Sequence, residues 1–260
     1  MIKPALMLSR MFTTLLLVGL AGCMVMEEAT PVDTNLAVSR RVAAGYEYLR
    51  IGRPIDARRH ISRALEHDPR SAEAHNAMAL LYQYEADFKR AEDHFRRALR
   101  YDGDYSLARN NYGALLMRQE RYRDALEQFD RAASDPSYDN RAIAFENKGR
   151  ALMSLQRYGE ALDAFNTALR LDSSNPEPLL EMAWAHFLGG QPDPARRAYD
   201  AYANAVETQS ARGLWLGIRL AAQTKDATTL AAREKALDTT YPDSIEFRLW
   251  RRWVAEGRKP

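Results

Sequence analysis

Ser106-Leu-Ala-Arg-Asn-Asn-Tyr-Gly-Ala-Leu-Leu-Met-Arg-Gln-Glu-Arg-Tyr-Arg-Asp-Ala-Leu-Glu-Gln-Phe129 decides the fold of this 260-residue chain. Its punctuation is small, large, small, large: Gly113, Leu116, Ala125, Phe129. The same punctuation returns along the chain. Aligned on it, frames open at Val38, Ala72, Ser106, Ala142, Pro176 and Ser210, in steps of 34, 34, 36, 34 and 34 residues. The eighth position reads Gly45, Ala79, Gly113, Gly149, Ala183, Gly217, and the eleventh Tyr48, Tyr82, Leu116, Leu152, His186, Leu220. The twentieth reads Ala57, Ala91, Ala125, Ala161, Ala195, Thr229, and the twenty-fourth Ile61, Phe95, Phe129, Phe165, Tyr199, Arg233. A fixed period of this length, met six times in succession, is the signature of a stacked array.

The pattern resembles the tetratricopeptide repeat, a pair of antiparallel helices. Its physical logic fits these residues. Small side chains at positions eight and twenty let two helices approach closely, and the large residue four further on fills the space beside them. Breakers close most second helices: Asp68-Pro69, Asp102-Gly103, Asp135-Pro136, Asn175-Pro176 and Tyr241-Pro242. The sixth frame is the least regular, with Thr229 and Arg233 where a small and an aromatic residue are expected, as befits the end of a stack. Ser244 to Gly257 then reads as a capping helix, with Ser244 as N-cap and an apolar face of Ile245, Leu249 and Trp250 or Trp253. No long stretch alternates as a strand does. The expected fold is all-α: a right-handed superhelical solenoid of six helix pairs over residues 36–243, then a capping helix and tail over 244–260. The first helix of each pair should line a concave groove.

Composition agrees and excludes other classes. Apolar residues make up 46% and charged residues 28%, a globular balance. Lys and Arg total 37 against 35 Asp and Glu, and the excess is Lys3 and Arg10, in an acid-free leader. The balanced body argues against a nucleic-acid partner. One cysteine excludes an intramolecular disulfide and a thiolate-rich zinc site.

That cysteine sits at the end of the leader. Lys3 and Arg10 supply a positive start and Met11 to Leu20 a short apolar run, well under the ~20 residues that span a bilayer. Leu20-Ala-Gly-Cys23 then resembles a lipobox, with small residues before the bond to be cut and one thiol to take the lipid. An ordinary signal followed by an incidental cysteine is the competing reading; the length of the apolar run, the small residues and the sole cysteine favour the lipobox. Residues 1–22 are therefore expected to be a lipoprotein signal peptide, and 23–35, with Pro31 and no helical period, an acylated Cys23 and its tether. In the lipoprotein class this resembles, the cysteine carries three acyl chains. At ~0.8 kcal/mol per buried CH₂ one chain binds marginally and three bind firmly. Met24 stands where an Asp would hold such a lipoprotein at the inner membrane, which resembles the outer-membrane kind, facing the periplasm of a Gram-negative cell.

First-helix positions 2, 5, 9 and 12 should face the groove, with 6 and 13 beside them. The candidates are Val42, Tyr46 and Leu49 in repeat 1; Leu80 and Tyr84 in repeat 2; Asn110 and Met117 in repeat 3; Arg150 in repeat 4; Trp184 and Phe187 in repeat 5. Apolar residues at this spacing mark a peptide-binding surface or pack between repeats. Aromatic residues at position nine of repeats 1 and 5 favour binding for the stripe as a whole. Asn111 and Asn147, at position six, are expected to bond neighbouring backbone. A chaperone-type carboxylate clamp is rejected, because Val42 and Tyr46 stand where its Lys and Asn would fall.

No enzyme motif emerges. None of His60, His67, His75, His94 and His186 sits in HExxH, and the glycine patterns of nucleotide sites and the GxSxG elbow are missing. The histidines read as surface or inter-repeat residues, and no catalytic residue, metal, cofactor or small-molecule substrate is expected.

A closer resemblance rests on the long junction Ala133 to Gly149 (ASDPSYDNRAIAFENKG), on Ala211 to Ala221 (ARGLWLGIRLA) with Tyr241 to Phe247 (YPDSIEF), on Ala72 to Gln83 (AEAHNAMALLYQ) and on the lipobox. Together they resemble the type IV pilus biogenesis lipoproteins of the PilF/PilW kind, the pilotins. The resemblance implies a non-enzymatic, lipid-anchored adaptor that helps the outer-membrane secretin of the pilus localise and multimerise, with lipidation at Cys23. The alternative is a generic periplasmic repeat lipoprotein that scaffolds envelope proteases or cell-wall enzymes.

Overall fold

The computed structural model describes residues 34–258, which form one compact unit of thirteen α-helices. The expected signal peptide, Cys23 and the expected tether as far as residue 33 lie outside the described residues; the last two residues expected in the tether, 34 and 35, instead open the first helix. The helices pair in chain order: α1 (Thr34–Arg50) with α2 (Pro54–His67), α3 (Ala72–Tyr84) with α4 (Phe88–Tyr101), and α5 (Ser106–Arg118) with α6 (Tyr122–Ser134). Then come α7 (Arg141–Ser154) with α8 (Tyr158–Leu171), α9 (Glu177–Leu188) with α10 (Pro192–Ala205), and α11 (Ala211–Thr224) with α12 (Ala227–Thr240), followed by α13 (Ile245–Ala255). The fold is the all-α right-handed solenoid expected. First helices α1, α3, α5, α7 and α9 touch their successors in an inner layer, and α11 is followed there by α13.

Each pair is closed by the same turn. One residue takes the left-handed conformation: Gly52, Ala86, Glu120, Gln156, Gly190 and Lys225, with φ between 56° and 72°. The next amide donates to the carbonyl five residues back, as in Arg53 to Tyr48 (2.8 Å), Asp87 to Tyr82 (2.8 Å), Arg121 to Leu116 (3.0 Å) and Asp226 to Ala221 (3.1 Å). This Schellman closure satisfies helix-end carbonyls and reverses the chain within a few residues. Four non-glycine residues accept it, so its cost of roughly 1 kcal/mol each is outweighed by the pairing it permits.

Turns between pairs use a different device. Asp68, Asp102, Asp135 and Asp172 follow α2, α4, α6 and α8, and each carboxylate accepts the amide two residues on, at 2.8 to 3.0 Å. Such Asx turns offer the backbone a partner that competes with further helix. Hence α8 ends at Leu171, ahead of the Asn175-Pro176 breaker: Asp172 has already captured both the amide and the hydroxyl of Ser174. The two extra residues of the third junction let Tyr138 pack on Ala132, Ala133 and Ala144, while Arg141 donates to the Ala133 carbonyl at 2.7 Å.

Inside each pair the small-against-large register holds. Phe129 lies so close to Gly113 that a Cβ there would meet three ring atoms at 2.6 to 2.9 Å, and Ile61 fills the same place beside Gly45. Ala57, Ala91, Ala125, Ala161 and Ala195 are fully buried. In the sixth pair Arg233 stands opposite Gly217 and donates to its carbonyl at 2.8 Å, with its guanidinium over the Tyr199 ring. The capping helix differs from expectation in its face. Ser244 is the N-cap, accepting from the Phe247 amide at 3.0 Å, but Ile245 is 63% exposed. Leu249 packs inward as expected, Trp250 and buried Trp253 both join it, and Phe247 takes the place expected of Ile245.

Two identical substitutions should therefore have opposite outcomes. Gly113→Ala should lower stability by ~1–3 kcal/mol, because the buried Phe129 ring cannot withdraw. Gly159→Ala, at an exposed helical site with nothing within 4 Å, should be neutral or stabilising by up to ~1 kcal/mol. Urea unfolding midpoints of the two variants check this, and Phe129→Leu should restore part of the loss in the first.

Candidate interaction groove

The inner layer is tied together by polar side chains at positions five and six. The Asn76 amide donates to the Tyr46 hydroxyl at 2.7 Å, and Asn111 donates to the Asn76 carbonyl oxygen at 3.2 Å. Asn147 donates to Asn110 at 3.0 Å. Arg150 reaches Glu146 at 2.5 Å and Glu181 at 3.0 Å, and Arg212 grips Glu181 from the next repeat at 2.8 Å. Asn175 donates to Glu146 at 3.1 Å. The rungs join each inner helix to the next, from α1 to α11. The two asparagines thus bond side chains of the preceding repeat, not backbone as expected.

Electrostatics follow from burial. Glu181 is 2% exposed. Burial pushes its carboxyl up, but the guanidiniums of Arg212 and Arg150 outweigh that and hold it below the usual carboxylate range. For Glu146 burial is the largest influence, and one guanidinium, Arg150, with the Asn175 amide does not offset it against the nearby Glu181 and Glu177 charges, so its pKa rises. The Tyr46 hydroxyl is pushed up to about 12, mainly by burial, against the hydrogen bond from Asn76.

The expected groove residues sort into distinct environments. Val42 is a correction: it is 3% exposed and packs on Ala57, Ile61 and Ala74, because its face of α1 meets α2 and α3. Asn110 is buried within the polar ladder, and Tyr46 and Arg150 belong to the ladder while keeping a partly open face. Leu49, Leu80 and Met117 are half-buried against the cores beneath them. Tyr84 is 56% exposed beside the turn at Gly52. Trp184 and Phe187 meet edge to face, ring centres 5.8 Å apart. Sequence reasoning missed Glu181 and Arg212. The signal was there: Asn76, Asn110 and Glu146 at position five, Asn111, Asn147 and Glu181 at position six, a polar column in otherwise apolar helices.

Two histidines also pair across α3 and α4. The Nδ1 atoms of His75 and His94 lie 3.0 Å apart, and His75 Nε2 meets the Pro69 carbonyl at 3.1 Å. Burial first, then the His75 and Arg97 charges, pushes His94 down to about 4. Among the described residues no three His, Cys, Asp or Glu side chains converge as metal ligands.

Comparison with known proteins bears on this face. The tetratricopeptide repeat family matches residues 42–82, 76–140 and 114–176, and a second tetratricopeptide repeat family matches 152–213. The type IV pilus assembly protein PilF of Pseudomonas aeruginosa is 36% identical over 237 residues, 90% of this chain and 94% of PilF. This chain belongs to the PilF family of tetratricopeptide-repeat proteins. The solved structure from the functional characterization of P. aeruginosa PilF matches with a TM-score of 0.75 at 35% identity, over 84% of this chain and 98% of that one. That of PilW, a widely conserved type IV pilus biogenesis factor, matches at 0.74 and 29%, over 82% and 97%. The PilF family thus uses a repeat that serves as a protein-interaction scaffold, and these relatives are pilus assembly and biogenesis factors. No described helix is long and apolar enough to cross a membrane.

For the ladder of this PilF-family chain, Glu181→Gln should cost ~1.5–3 kcal/mol, the range of charged hydrogen bonds. The Glu181 pKa is lowered from 4.5, so its contribution is present above that pH and lost as pH falls through the folded value. The gap between wild type and variant in thermal melts should therefore be full at pH 7 and close below pH 4.5.

Proposed function

We propose that this protein is a lipid-anchored adaptor, a pilotin, that promotes outer-membrane localisation and multimerisation of the type IV pilus secretin. The reading is supported above all by similarity to PilF along 90% of the chain, covering every repeat rather than one generic helix pair. The lipobox ending at Cys23 adds an address. Acyl chains at Cys23 would hold the protein at the periplasmic face of the outer membrane, and the inner layer of first helices would grip a secretin segment. Joining a modest grip to an anchor raises effective concentration without further contacts.

The division of labour is open to a direct test in cells. In a deletion strain, heat-resistant secretin multimers should fall sharply while secretin monomer persists. Cys23→Ser should give a folded protein off the outer membrane, with fewer or misplaced multimers. Leu80→Gln with Met117→Gln, if its melting matches wild type, should stay at the membrane yet capture less secretin. Normal secretin rings in the deletion strain would refute the pilotin reading and leave the scaffold for envelope proteases or cell-wall enzymes.

A further inference from the structure

The chain has four tryptophans, and all of them stand at one end: Trp184 on α9, Trp215 on α11, Trp250 and Trp253 on α13. Two of these, Trp215 and Trp253, gather with Phe187 around one cation. The Arg219 guanidinium lies 5.2 Å from the Phe187 ring centre and 5.4 Å from those of both Trp215 and Trp253, which themselves meet edge to face at 5.6 Å.

What this arginine lacks is an anion. Arg150 and Arg212 share Glu181, Arg258 reaches Glu234, and Arg233 donates to the Gly217 carbonyl. Among the described residues Arg219 has no ion pair and no side-chain or backbone hydrogen-bond acceptor within reach. Burial alone lowers its pKa, with no acid to offset that. It is half-buried rather than sealed. The helix beside it adds charge of the same sign, with Arg248, Arg251 and Arg252 against Glu246 on α13. In the same wall the Trp184 indole nitrogen is buried with no hydrogen-bond partner. A donor left unmet in this way costs about 1–3 kcal/mol. Rings satisfy the flat faces of a guanidinium; its N–H groups, directed outward in the guanidinium plane, are left for a carboxylate, which they match bidentately.

We propose that this platform is a docking site for an acidic segment within a partner protein, in which an Asp or Glu side chain pairs with Arg219 and flanking apolar side chains lie on the half-buried Phe187 and Trp184. The net positive setting selects against basic segments, and the aromatic walls supply the contact area that holds an anchor residue. The site is separate from the Leu80 and Met117 surface and does not depend on the secretin assignment.

The tryptophan distribution provides the readout, since tryptophan emission, excited at wavelengths tyrosine does not absorb, reports on this end alone. The probe is an equimolar library of N-acetylated, C-amidated hexapeptides with Asp or Glu at the third position and Leu, Phe or Tyr on either side, titrated into the purified mature protein. A saturable change in emission is expected, weakened at least tenfold by Arg219→Gln, partly kept by Arg219→Lys and unchanged in Arg170→Gln, an exposed position on α8. Raising salt from 0.05 to 0.5 M should weaken it several-fold, as for a partly exposed ion pair. The same library with Lys at the third position should not compete. If Arg219→Gln lowers the melting temperature, salt dependence and the Lys-library competition on the wild-type protein decide. No saturable change, equal binding of the Lys library, or binding only by peptides with a free C-terminal carboxylate would each overturn the proposal.

Discussion

Close approach of two helix backbones is the constraint on which this structure depends. At Gly45, Gly113 and Gly149 there is no room for a methyl group, because the large residue of the partner helix already occupies it. The fully buried alanines opposite let that residue descend to the backbone. The distance and angle within each pair are therefore set by side-chain size, and dispersion contacts made at that distance are what a looser pair would forfeit. The Schellman turns and Asp-capped junctions deliver the helices to this meeting; they do not create it. Repeating one pair geometry at a constant step then generates the solenoid.

Stacking the pairs raises a second problem, which is how inner helices of successive repeats keep register when their facing residues are small. Apolar contact there is smooth and would tolerate sliding. Directional bonds do not. Asn76 with Tyr46, Asn147 with Asn110, and Arg212 and Arg150 on Glu181 each specify one relative position of neighbouring helices. At the Glu181 rung two guanidiniums keep one buried carboxylate ionised, whereas Glu146 has a thinner set of partners and burial raises its pKa. A face held in register in this way presents its half-exposed leucines, methionine and aromatic rings as a pre-shaped surface, so less ordering entropy is lost on binding.

Much of this was legible in the residues. Helix pairing, the number of repeats, the extended third junction and the capping helix follow from period and breakers, which depend on local chemistry. The groove was legible only in part, because position within a repeat says which way a side chain leaves the helix and not what it meets there. Val42 turns out to face α2 and α3, and Asn110 is covered within the polar ladder. Arg219 was invisible for a similar reason: its partners Phe187, Trp215 and Trp253 come from three helices and converge only in the fold. Ser244 caps α13 as its sequence suggests, but that Phe247 and not Ile245 meets the body is set by how the helix docks on α11.

The central claim is that the inner layer of first helices is the working surface. Hydroxyl-radical footprinting of the membrane-anchored protein, with and without detergent-solubilised secretin, tests it most directly. The account predicts protection of Leu49, Leu80 and Met117 on the first helices, with Ile55, Tyr101 and Leu171 on the second helices labelled equally in both states. Protection confined to Ile55, Tyr101 and Leu171 would contradict it.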